Sequence, residues 1–417
     1  MSFYSMNMEF GVPDAETELK RNPVIFDNAF FDPHDYLVEL IDGFKYIVVG
    51  RKGDGKSAYY AKMQRMCKND KFLEPIGVCL ENLNSVFFER FSDRDLTGGK
   101  RYVPMWRCII LLELIKYIEK RNYQVQKPEY TQLVEALDRI GLLHGESIET
   151  TITTLDATEF TLKLNNWVSY GKRKEKETEI RGASDIYHVL TSVINSVYLG
   201  DIKFRMVFDG LDDILRAEDF KVEIVTGLLR ATKEINDYIE KKSINFKTIV
   251  LIRSDILSKC RDPDISKIVI ASSIDLSWKV GTNPYESELT NLVLLRFNMQ
   301  NVDYSDFHTL WNTYFPKEID GKDSLSYMLE NTLYKPRDIL MFFEMARRIM
   351  GKADRMFSDN EFQMALRSYS EEYFIKNMQD EVTGFLPDDA INELQAVISK
   401  CRLPRWLTEN WHSRVAA

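Results

Sequence analysis

Three short apolar runs in the chain have the composition of buried β-strands, and each of them is followed by polar residues. They occupy residues 44–49, 204–208 and 246–252 and are rich in β-branched and aromatic side chains. Strands that are buried on both faces of a parallel sheet appear as continuous apolar runs. The runs therefore predict an α/β fold with a mostly parallel central sheet flanked by helices.

Beyond residue 285 the apolar positions follow the spacing of amphipathic helices almost without interruption. This periodicity predicts helices over residues 286–297, 304–314, 324–333, 337–350 and 359–379. We interpret residues 285–355 as a helical lid domain and residues 356–417 as a C-terminal helical element.

The first apolar run leads directly into a glycine-rich segment with the pattern G-x-x-x-x-G-K-S. A polyphosphate must be surrounded by backbone N–H groups, and only a glycine-rich turn lets the main chain come that close. In this pattern Lys56 reaches the β- and γ-phosphates, Ser57 holds Mg²⁺, and the next helix directs its positive end at the phosphates. The nucleotide-binding residues that we predict are Gly50, Arg51, Lys52, Gly53, Asp54, Gly55, Lys56, Ser57 and Ala58.

The weaker interpretation of this segment is a glycine-rich turn in an unrelated α/β unit. It is disfavoured because an apolar run precedes the segment and a helix-compatible stretch, residues 58–63, follows it. The chain has no N-K-x-D motif where a GTPase would need one. We therefore predict ATP and Mg²⁺ as the cofactors.

The second apolar run ends in acidic residues, as the second half of such a site requires. An acid that follows a buried parallel strand lies at the carboxyl edge of the sheet, where ligands bind in open α/β folds. Asp209 would hold Mg²⁺ through a water molecule, and Asp212 or Asp213 would orient and deprotonate the attacking water. The alternative is a solvated turn after a core strand.

Three arginines are further candidates for the site. Arg253 follows the third apolar run, and Arg337 follows Pro336 in the first turn of a predicted helix. Either would sense the γ-phosphate, or would be a surface ion-pair partner. Arg296 is a candidate for a trans-acting arginine finger. Its alternative is an exposed helix residue.

Together these segments resemble the AAA+-related P-loop ATPases, specifically the signal-transduction (STAND) type and its bacterial relatives. The resemblance rests on Gly-Arg-Lys-Gly-Asp-Gly-Lys-Ser-Ala, Val-Phe-Asp-Gly-Leu-Asp-Asp, Leu-Ile-Arg-Ser-Asp and Lys-Pro-Arg-Asp-Ile-Leu, and it covers residues 20–355. It implies a Walker A motif at 50–57, a Walker B motif at Asp209 with Asp212 and Asp213, sensor 1 at Arg253 and sensor 2 at Arg337. The chain departs from ordinary AAA+ enzymes in having Gly210 at the position of the usual glutamate, and this departure predicts slow hydrolysis.

The separation in sequence between the phosphate loop and Asp209 is too long for short connections. We predict a mainly helical insertion over residues 85–185, with helices near 106–120 and 130–140, a Thr-rich patch at 149–164 and a charged run at 171–177. The charged run is interpreted as a solvated loop, with a contact for phosphates or an acidic partner as the alternative. Residues 1–84 and 186–284 then form the two parts of the NTPase core.

Composition and charge indicate the compartment in which the protein is expected. The chain has 417 residues, which predicts two or three domains, and a net charge of −9, which gives no global attraction to nucleic acid or to anionic membranes. Its five cysteines form no C-x-x-C pair, and it has neither a signal peptide nor an apolar run long enough for a membrane span. We predict a cytoplasmic protein with reduced thiols.

These features together favour an ATP-binding, slowly hydrolysing molecular switch that controls a protein effector or its own oligomeric assembly. The resemblance suggests a role in bacterial anti-phage defence. The alternatives are a DNA-engaged AAA+ ATPase of the initiator or loader kind and a nucleotide-bound scaffold without turnover. Mixed charge over residues 359–402 disfavours DNA binding there.

Overall fold

The computed structural model describes residues 10–80, 92–144, 183–211, 222–239, 244–278, 281–299, 304–351 and 355–382, apart from 13 and 94, with isolated positions at 88, 148, 150, 151, 389–391 and 393. These residues divide into two compact units. The sheet unit lies within Tyr36–Val49 and Met63–Asp275. The helical unit lies within Met1–Asp35, Gly50–Lys62 and Leu276–Ala417.

Five parallel strands form the central sheet. They are β1 (Ile47–Gly50), β2 (Leu73–Cys79), β3 (Lys203–Asp209), β4 (Asn245–Arg253) and β5 (Ser273–Asp275). Their order across the sheet is β2-β3-β4-β1-β5. All of β1 and the central part of β4 are buried, as expected for strands that are covered on both faces.

The connections that leave β1 and β4 run in opposite directions across the sheet. From β1 the chain passes to β2 at one edge, whereas from β4 it passes beyond β1 to β5 at the other edge. Neighbouring strands with diverging connections leave a crevice outside their carboxyl ends, which is the usual ligand site of open α/β sheets. Val49, Asp209 and Arg253 lie at this carboxyl edge.

One helix, α3, precedes β1, and the other helices of this part of the chain lie between the strands. The set is α3 (Tyr36–Ile41), α4 (Lys56–Met66), α5 (Val103–Lys120), α6 (Pro128–Arg139), α7 (Ala183–Ile194), α8 (Val222–Ile239), α9 (Ser254–Lys259) and α10 (Pro263–Ser272). The indole N–H of Trp106 in α5 donates to the Ile224 carbonyl in α8 over 2.9 Å. Helix α8 also packs closely on a 3₁₀ turn, Gly98–Tyr102, because a Cβ at Gly227 would lie 2.7 Å from the Tyr102 Cβ.

Two cations, the buried Arg205 and the partly buried Lys247, cap the carboxyl end of α3. Arg205 Nε donates to the Ile41 carbonyl over 2.6 Å, and Lys247 Nζ donates to three carbonyls of the same helix end over 2.7 to 3.0 Å. Cations are favourable there because the last carbonyls of a helix have no partner within it. Burial lowers the pKa of Lys247 to about 7, and the neighbouring positive charge of Arg205 acts in the same direction.

The helical unit contains two N-terminal helices and a C-terminal series. They are α1 (Ala15–Arg21), α2 (Pro23–Ala29), α11 (Glu288–Asn298), α12 (Phe307–Tyr314), α13 (Ser324–Asn331), α14 (Pro336–Met350), α15 (Asp359–Ser368) and α16 (Ile375–Val382). A hairpin of β6 (Glu318–Ile319) and β7 (Lys322–Asp323) precedes α13. A π-helical turn, Tyr369–Phe374, joins α15 to α16, so the stretch predicted as one helix over 359–379 is interrupted.

Aromatic side chains fill the core of the helical unit. Trp311 stacks on Phe315 at 4.3 Å between ring centroids, and Phe315 stacks on Phe357 at 4.9 Å. The N-terminal segment contributes Phe10, which stacks on Phe343 at 5.1 Å. The predicted C-terminal helices are confirmed within a few residues, and their apolar faces form this core.

Neither expectation for Arg296 is correct. The residue is only 7% exposed. Its guanidinium forms a two-pronged ion pair with Glu18, with N–O distances of 2.8 and 3.0 Å, and donates to the Phe10 carbonyl over 2.7 Å. Arg296 therefore joins α11 to α1 inside the helical unit and is not exposed for a neighbouring subunit.

The predicted fold class is confirmed: the chain has an α/β P-loop NTPase fold with a parallel sheet, flanking helices and a C-terminal helical region. Helices α5 and α6 lie in the predicted insertion, whereas the charged run at 171–177 and nearly all of the Thr-rich patch lie outside the described residues. The domain boundaries stay predictions. No helix in the described part of the chain combines the length and apolarity that crossing a bilayer requires.

Candidate nucleotide-binding site

The glycine-rich segment forms a loop between β1 and α4. β1 ends at Gly50, and α4 begins at Lys56. Gly53 and Gly55 have φ angles of +92° and +96°, which side chains other than glycine rarely adopt. A Cβ at Gly55 would point into open space, so the backbone at this position is accessible to a ligand.

The side chain of Lys56, which is predicted to bind phosphates, extends back across the loop. Its Nζ donates to the carbonyls of Gly50 and Arg51, both over 3.1 Å. Ser57 and Ala58 follow it in the first turn of α4, whose N–H groups carry the positive end of the helix dipole. Lys52 lies within the turn that leads to Gly53. The segment thus has the local geometry of an anion-binding loop.

Asp54 is a buried carboxylate inside this loop. It is 1% exposed and accepts the backbone N–H of Arg51 over 2.6 Å. Burial raises the pKa of Asp54, and the nearby Arg51 guanidinium, with nitrogens 3.5 Å from both carboxylate oxygens, opposes this rise. The Asp54 carbonyl accepts the indole N–H of Trp278 over 3.0 Å. Asp54 therefore holds the loop together and does not face outward.

The guanidinium of Arg51 contacts the turn before α14. Its Nη1 donates to the Leu333 carbonyl over 3.3 Å, and its Nη2 donates to the Tyr334 carbonyl over 3.1 Å. Leu333 and Tyr334 have φ angles of +53° and +54°. A left-handed conformation costs about 1–2 kcal/mol for a residue other than glycine, so two in succession need surrounding contacts that hold them.

Arg337 lies beside the phosphate loop, and its predicted contact with the γ-phosphate stays a prediction. Its backbone N–H points at the Gly53 carbonyl over 3.5 Å. A Cβ at Gly53 would lie 3.4 Å from the Arg337 Cβ and 3.7 Å from its Cδ. Pro336 is the first residue of α14, which confirms the predicted helix start. The helical unit thus brings Arg51, Gly53 and Arg337 together.

Asp209 is the last residue of β3. Its Oδ1 accepts the backbone N–H of Gly210 over 2.8 Å, and its carbonyl accepts the N–H of Leu80 over 2.9 Å. Gly210 has a φ angle of +83°, a conformation that favours glycine. Asp212 and Asp213, the predicted water-orienting carboxylates, lie outside the described residues.

Arg253 ends β4 and forms a two-pronged ion pair with Asp255. The distances are 2.9 Å from Nε to Oδ1 and 2.8 Å from Nη2 to Oδ2. Burial alone would raise the pKa of Asp255, but the Arg253 guanidinium and backbone N–H groups together outweigh it, so the pKa is lowered. Arg253 and Asp209 therefore lie at the ends of neighbouring strands, with Arg253 fixed in direction by Asp255.

The side-chain types of the predicted residues, each taken within its own unit, are those that Mg²⁺ and a triphosphate require. P-loop sites bind the metal through a hydroxyl of the loop and a carboxylate at a strand end, together with phosphate oxygens. Ser57 in the helical unit has a hydroxyl of this kind, and Asp209 in the sheet unit has a carboxylate of this kind, so both residue types are present. Gly53, Gly55 and the first turn of α4 supply backbone N–H groups for phosphates.

Sequence patterns missed several residues of this arrangement. Trp278 contacts a residue 224 positions away, and Leu333 and Tyr334 contribute through their backbone conformation. Asp54 was predicted as a loop residue without its role as a buried anchor. The sequence gives no periodic or motif signal for any of these contacts.

Comparison with known proteins gives one family match and one curated relative. The model of a FunZ-associated C-terminal helical domain matches residues 287–376. A putative transposon gamma-delta 80.3 kDa protein from Escherichia coli (strain K12) is 24% identical over 354 residues, which cover 82% of this chain and 47% of that protein. The chain therefore spans about half the length of the curated relative it matches.

Among solved structures, the Aeropyrum pernix ORC2 protein in its ADPNP-ADP complexes aligns with a TM-score of 0.36 at 11% identity, covering 90% of this chain and 83% of that one. The Aeropyrum pernix ORC1 protein in complex with DNA aligns with a TM-score of 0.37 at 11% identity, covering 93% and 72%. Similarity of this extent carries no inference about ligands or partners. The fold assignment rests on the strand order and on the loop after β1.

Proposed function

We propose that this protein is an AAA+-related P-loop ATPase that binds ATP with Mg²⁺ and acts as a slowly hydrolysing molecular switch. The observation that carries the proposal is the attachment of the phosphate loop to the start of α14, where Arg51 and Gly53 contact residues 333–337. A switch needs a ligand-binding element and a second element whose position depends on it. The loop and α14 supply these two parts.

The residues of the loop would bind the triphosphate through backbone N–H groups and the Lys56 ammonium. Bound Mg²⁺ would neutralise charge on the phosphates, with Ser57 and Asp209 as its protein ligands. Arg253 and Arg337 would respond to the γ-phosphate. Asp212 and Asp213 are proposed from the sequence as the carboxylates that orient the attacking water.

Slow turnover is supported by the backbone at Gly210. Ordinary AAA+ enzymes carry glutamate at that position, whereas Gly210 has a φ angle of +83° that disfavours any other residue. Turnover therefore lacks the usual base directly after Asp209. We propose that the nucleotide state lasts long enough to control a protein effector or assembly of the chain with itself. The anti-phage role stays a prediction.

A second candidate function is a DNA-engaged AAA+ ATPase. The observation that favours it is the curated relative, which is described as a transposon protein. The net charge of −9 opposes it, because non-specific DNA binding depends on neutralising phosphates with basic residues. Fluorescence anisotropy with duplex DNA across salt concentrations tests this candidate, since phosphate contacts make binding fall steeply with salt.

Phosphate release by the wild type, Asp209→Asn and Asp212→Ala, with and without DNA, tests the proposed activity. We expect slow, Mg²⁺-dependent release that both variants reduce at least tenfold, about 1.4 kcal/mol in transition-state stabilisation, and that DNA leaves unchanged. Stimulation by DNA would favour the second candidate. Tight ATP binding without any release would favour the scaffold. Mass photometry with and without ATP and Mg²⁺ reports whether assembly depends on the nucleotide.

A further inference from the structure

The structure assigns a positioning role to Arg51 within the phosphate loop. We infer that Arg51, held by Asp54, fastens the turn at Leu333 and Tyr334 to the loop and thereby fixes Arg337 beside Gly53. The inference rests on the proposed function and names how that site is regulated. We refer to Arg51, Asp54 and the two turn carbonyls as the latch.

One side of the latch is anchored inside the loop. Asp54 is buried and accepts the Arg51 backbone N–H over 2.6 Å, and its two oxygens lie 3.5 Å from the Arg51 guanidinium. Trp278 donates to the Asp54 carbonyl over 3.0 Å. The direction of the Arg51 side chain is therefore tied to the conformation of the loop.

The other side of the latch requires a planar fork. Nη1 and Nη2 of Arg51 donate to the carbonyls of two successive residues, Leu333 and Tyr334, over 3.3 and 3.1 Å. A guanidinium presents several N–H groups in a fixed plane, whereas a lysine ammonium is a compact charge that cannot reproduce this geometry. Lysine at position 51 would keep the charge and lose the two-point contact.

The turn at Leu333 and Tyr334 must be held by contacts with other residues. Leu333 and Tyr334 are both left-handed, and residues in such conformations persist only where surrounding contacts hold them. The Tyr334 N–H donates to the Leu329 carbonyl, and the Lys335 N–H donates to the Thr332 carbonyl. Arg51 donates the hydrogen bonds to the carbonyls of Leu333 and Tyr334.

Arg337 follows this turn directly. Only Lys335 and Pro336 separate Tyr334 from Arg337, and proline fixes one of the intervening backbone angles. A loop conformation that moves Arg51 would release the turn and displace Arg337 from Gly53. By linkage, a displacement of α14 would act on the loop to the same extent. Because of the latch, the conformation of the loop and the position of Arg337 change together in a single equilibrium.

A double-mutant cycle on ATP affinity tests this inference. Arg51→Lys should weaken binding of a fluorescent ATP analogue about fivefold in the wild-type background, and less than about twofold when Arg337→Ala is already present. The matched control is Arg355→Lys, which changes an exposed ion pair with Glu361 and should leave affinity unchanged. If the effects of Arg51→Lys and Arg337→Ala multiply independently, Arg51 does not act through Arg337.

A glycine rescue separates positioning from general damage. Tyr334→Gly removes the conformational cost of the left-handed turn, so it should restore affinity in the Arg51→Lys background at least twofold, about 0.4 kcal/mol. It should change the wild-type affinity much less. A purely structural role of Arg51 predicts no such rescue, and its absence would overturn the inference.

Hydrogen exchange without nucleotide keeps this inference distinct from the proposed function. In Arg51→Lys, amides of residues 333–340 should exchange faster than in the wild type, whereas Arg355→Lys should match the wild type there. If exchange rises as expected but the wild type binds no ATP, the proposed function fails and the latch stands. If exchange is unchanged in Arg51→Lys, the latch fails whatever the nucleotide result.

Discussion

Nη2 of Arg51 donates to the carbonyl of Tyr334 over 3.1 Å, although 283 positions separate the two residues in the sequence. Arg51 belongs to the phosphate loop, and Tyr334 belongs to the turn before α14. The contact links the part of the chain that is proposed to bind phosphate with the part that carries Arg337. Both residues lie in the helical unit.

The fluorescence of Trp278 should report changes in the conformation of the phosphate loop. Its indole donates to the Asp54 carbonyl, and its ring stacks on Phe31 at 6.2 Å between centroids. A loop that rearranges around phosphates should change this environment, so ATP should alter tryptophan emission in the wild type. Trp278→Phe should abolish most of the change while calorimetry still detects ATP binding. An equal change in emission in the variant would place the response elsewhere.

Gly210 should tolerate no other residue without loss of stability. At a φ angle of +83°, Gly210→Glu should cost about 1–2 kcal/mol of folding free energy. It should also fail to speed phosphate release, because the strained backbone does not present the new carboxylate. Thermal unfolding and phosphate release check both parts. Gly281→Ala, where a Cβ meets nothing within 4 Å, is the control. Faster turnover in Gly210→Glu would contradict this expectation, because it would mean that the backbone at position 210 can present a carboxylate to the reaction.

The ion pair between Arg296 and Glu18 should contribute to stability and not to catalysis. Breaking a buried pair leaves an uncompensated charge, so Glu18→Gln should reduce the free energy of unfolding by about 3 kcal/mol. Urea unfolding measures this loss. Glu16→Gln on the same helix is the matched control. A stable Glu18→Gln protein with impaired hydrolysis would instead support a catalytic role for Arg296.

Lys247 should make folding stability depend on pH. Its pKa is about 7 in the folded chain, compared with about 10.4 when unfolded. Between these values the unfolded chain holds a proton that the folded chain lacks, so stability rises with pH by up to about 1.4 kcal/mol per unit. Lys247→Met should remove this rise from the difference between wild type and variant. Lys267→Met, at an exposed lysine, should leave this rise unchanged. If stability depends on pH with the same slope in all three proteins, the lowered pKa of Lys247 is refuted.

The core of the α/β unit could be predicted because its signals are local. The runs at 44–49, 204–208 and 246–252 mark β1, β3 and β4, and Pro336 marks the start of α14. Strands β2 and β5 were missed. β2 contains Glu74, Pro75 and Gly77 and lies at a sheet edge, and β5 has only three residues, so neither forms a long apolar run.

The long-range contacts inside the helical unit and at the phosphate loop could not be predicted. Arg296 looks like an ordinary polar residue of an amphipathic helix, and its partner Glu18 lies 278 positions away. The left-handed backbone at Leu333 and Tyr334 has no sequence signature, because neither is glycine or asparagine. Only tertiary structure brings Arg51 to that turn.

Calorimetric titration of ATP in the presence of Mg²⁺ into the wild type and Lys56→Ala tests most directly whether the loop after β1 binds a triphosphate. Lys45→Ala is the matched control, because Lys45 is a partly buried lysine outside the loop that donates to the Ala271 carbonyl. We predict binding by the wild type and Lys45→Ala, and affinity at least tenfold lower in Lys56→Ala, about 1.4 kcal/mol. Equal affinity in all three proteins, or no binding by the wild type, would contradict the central claim.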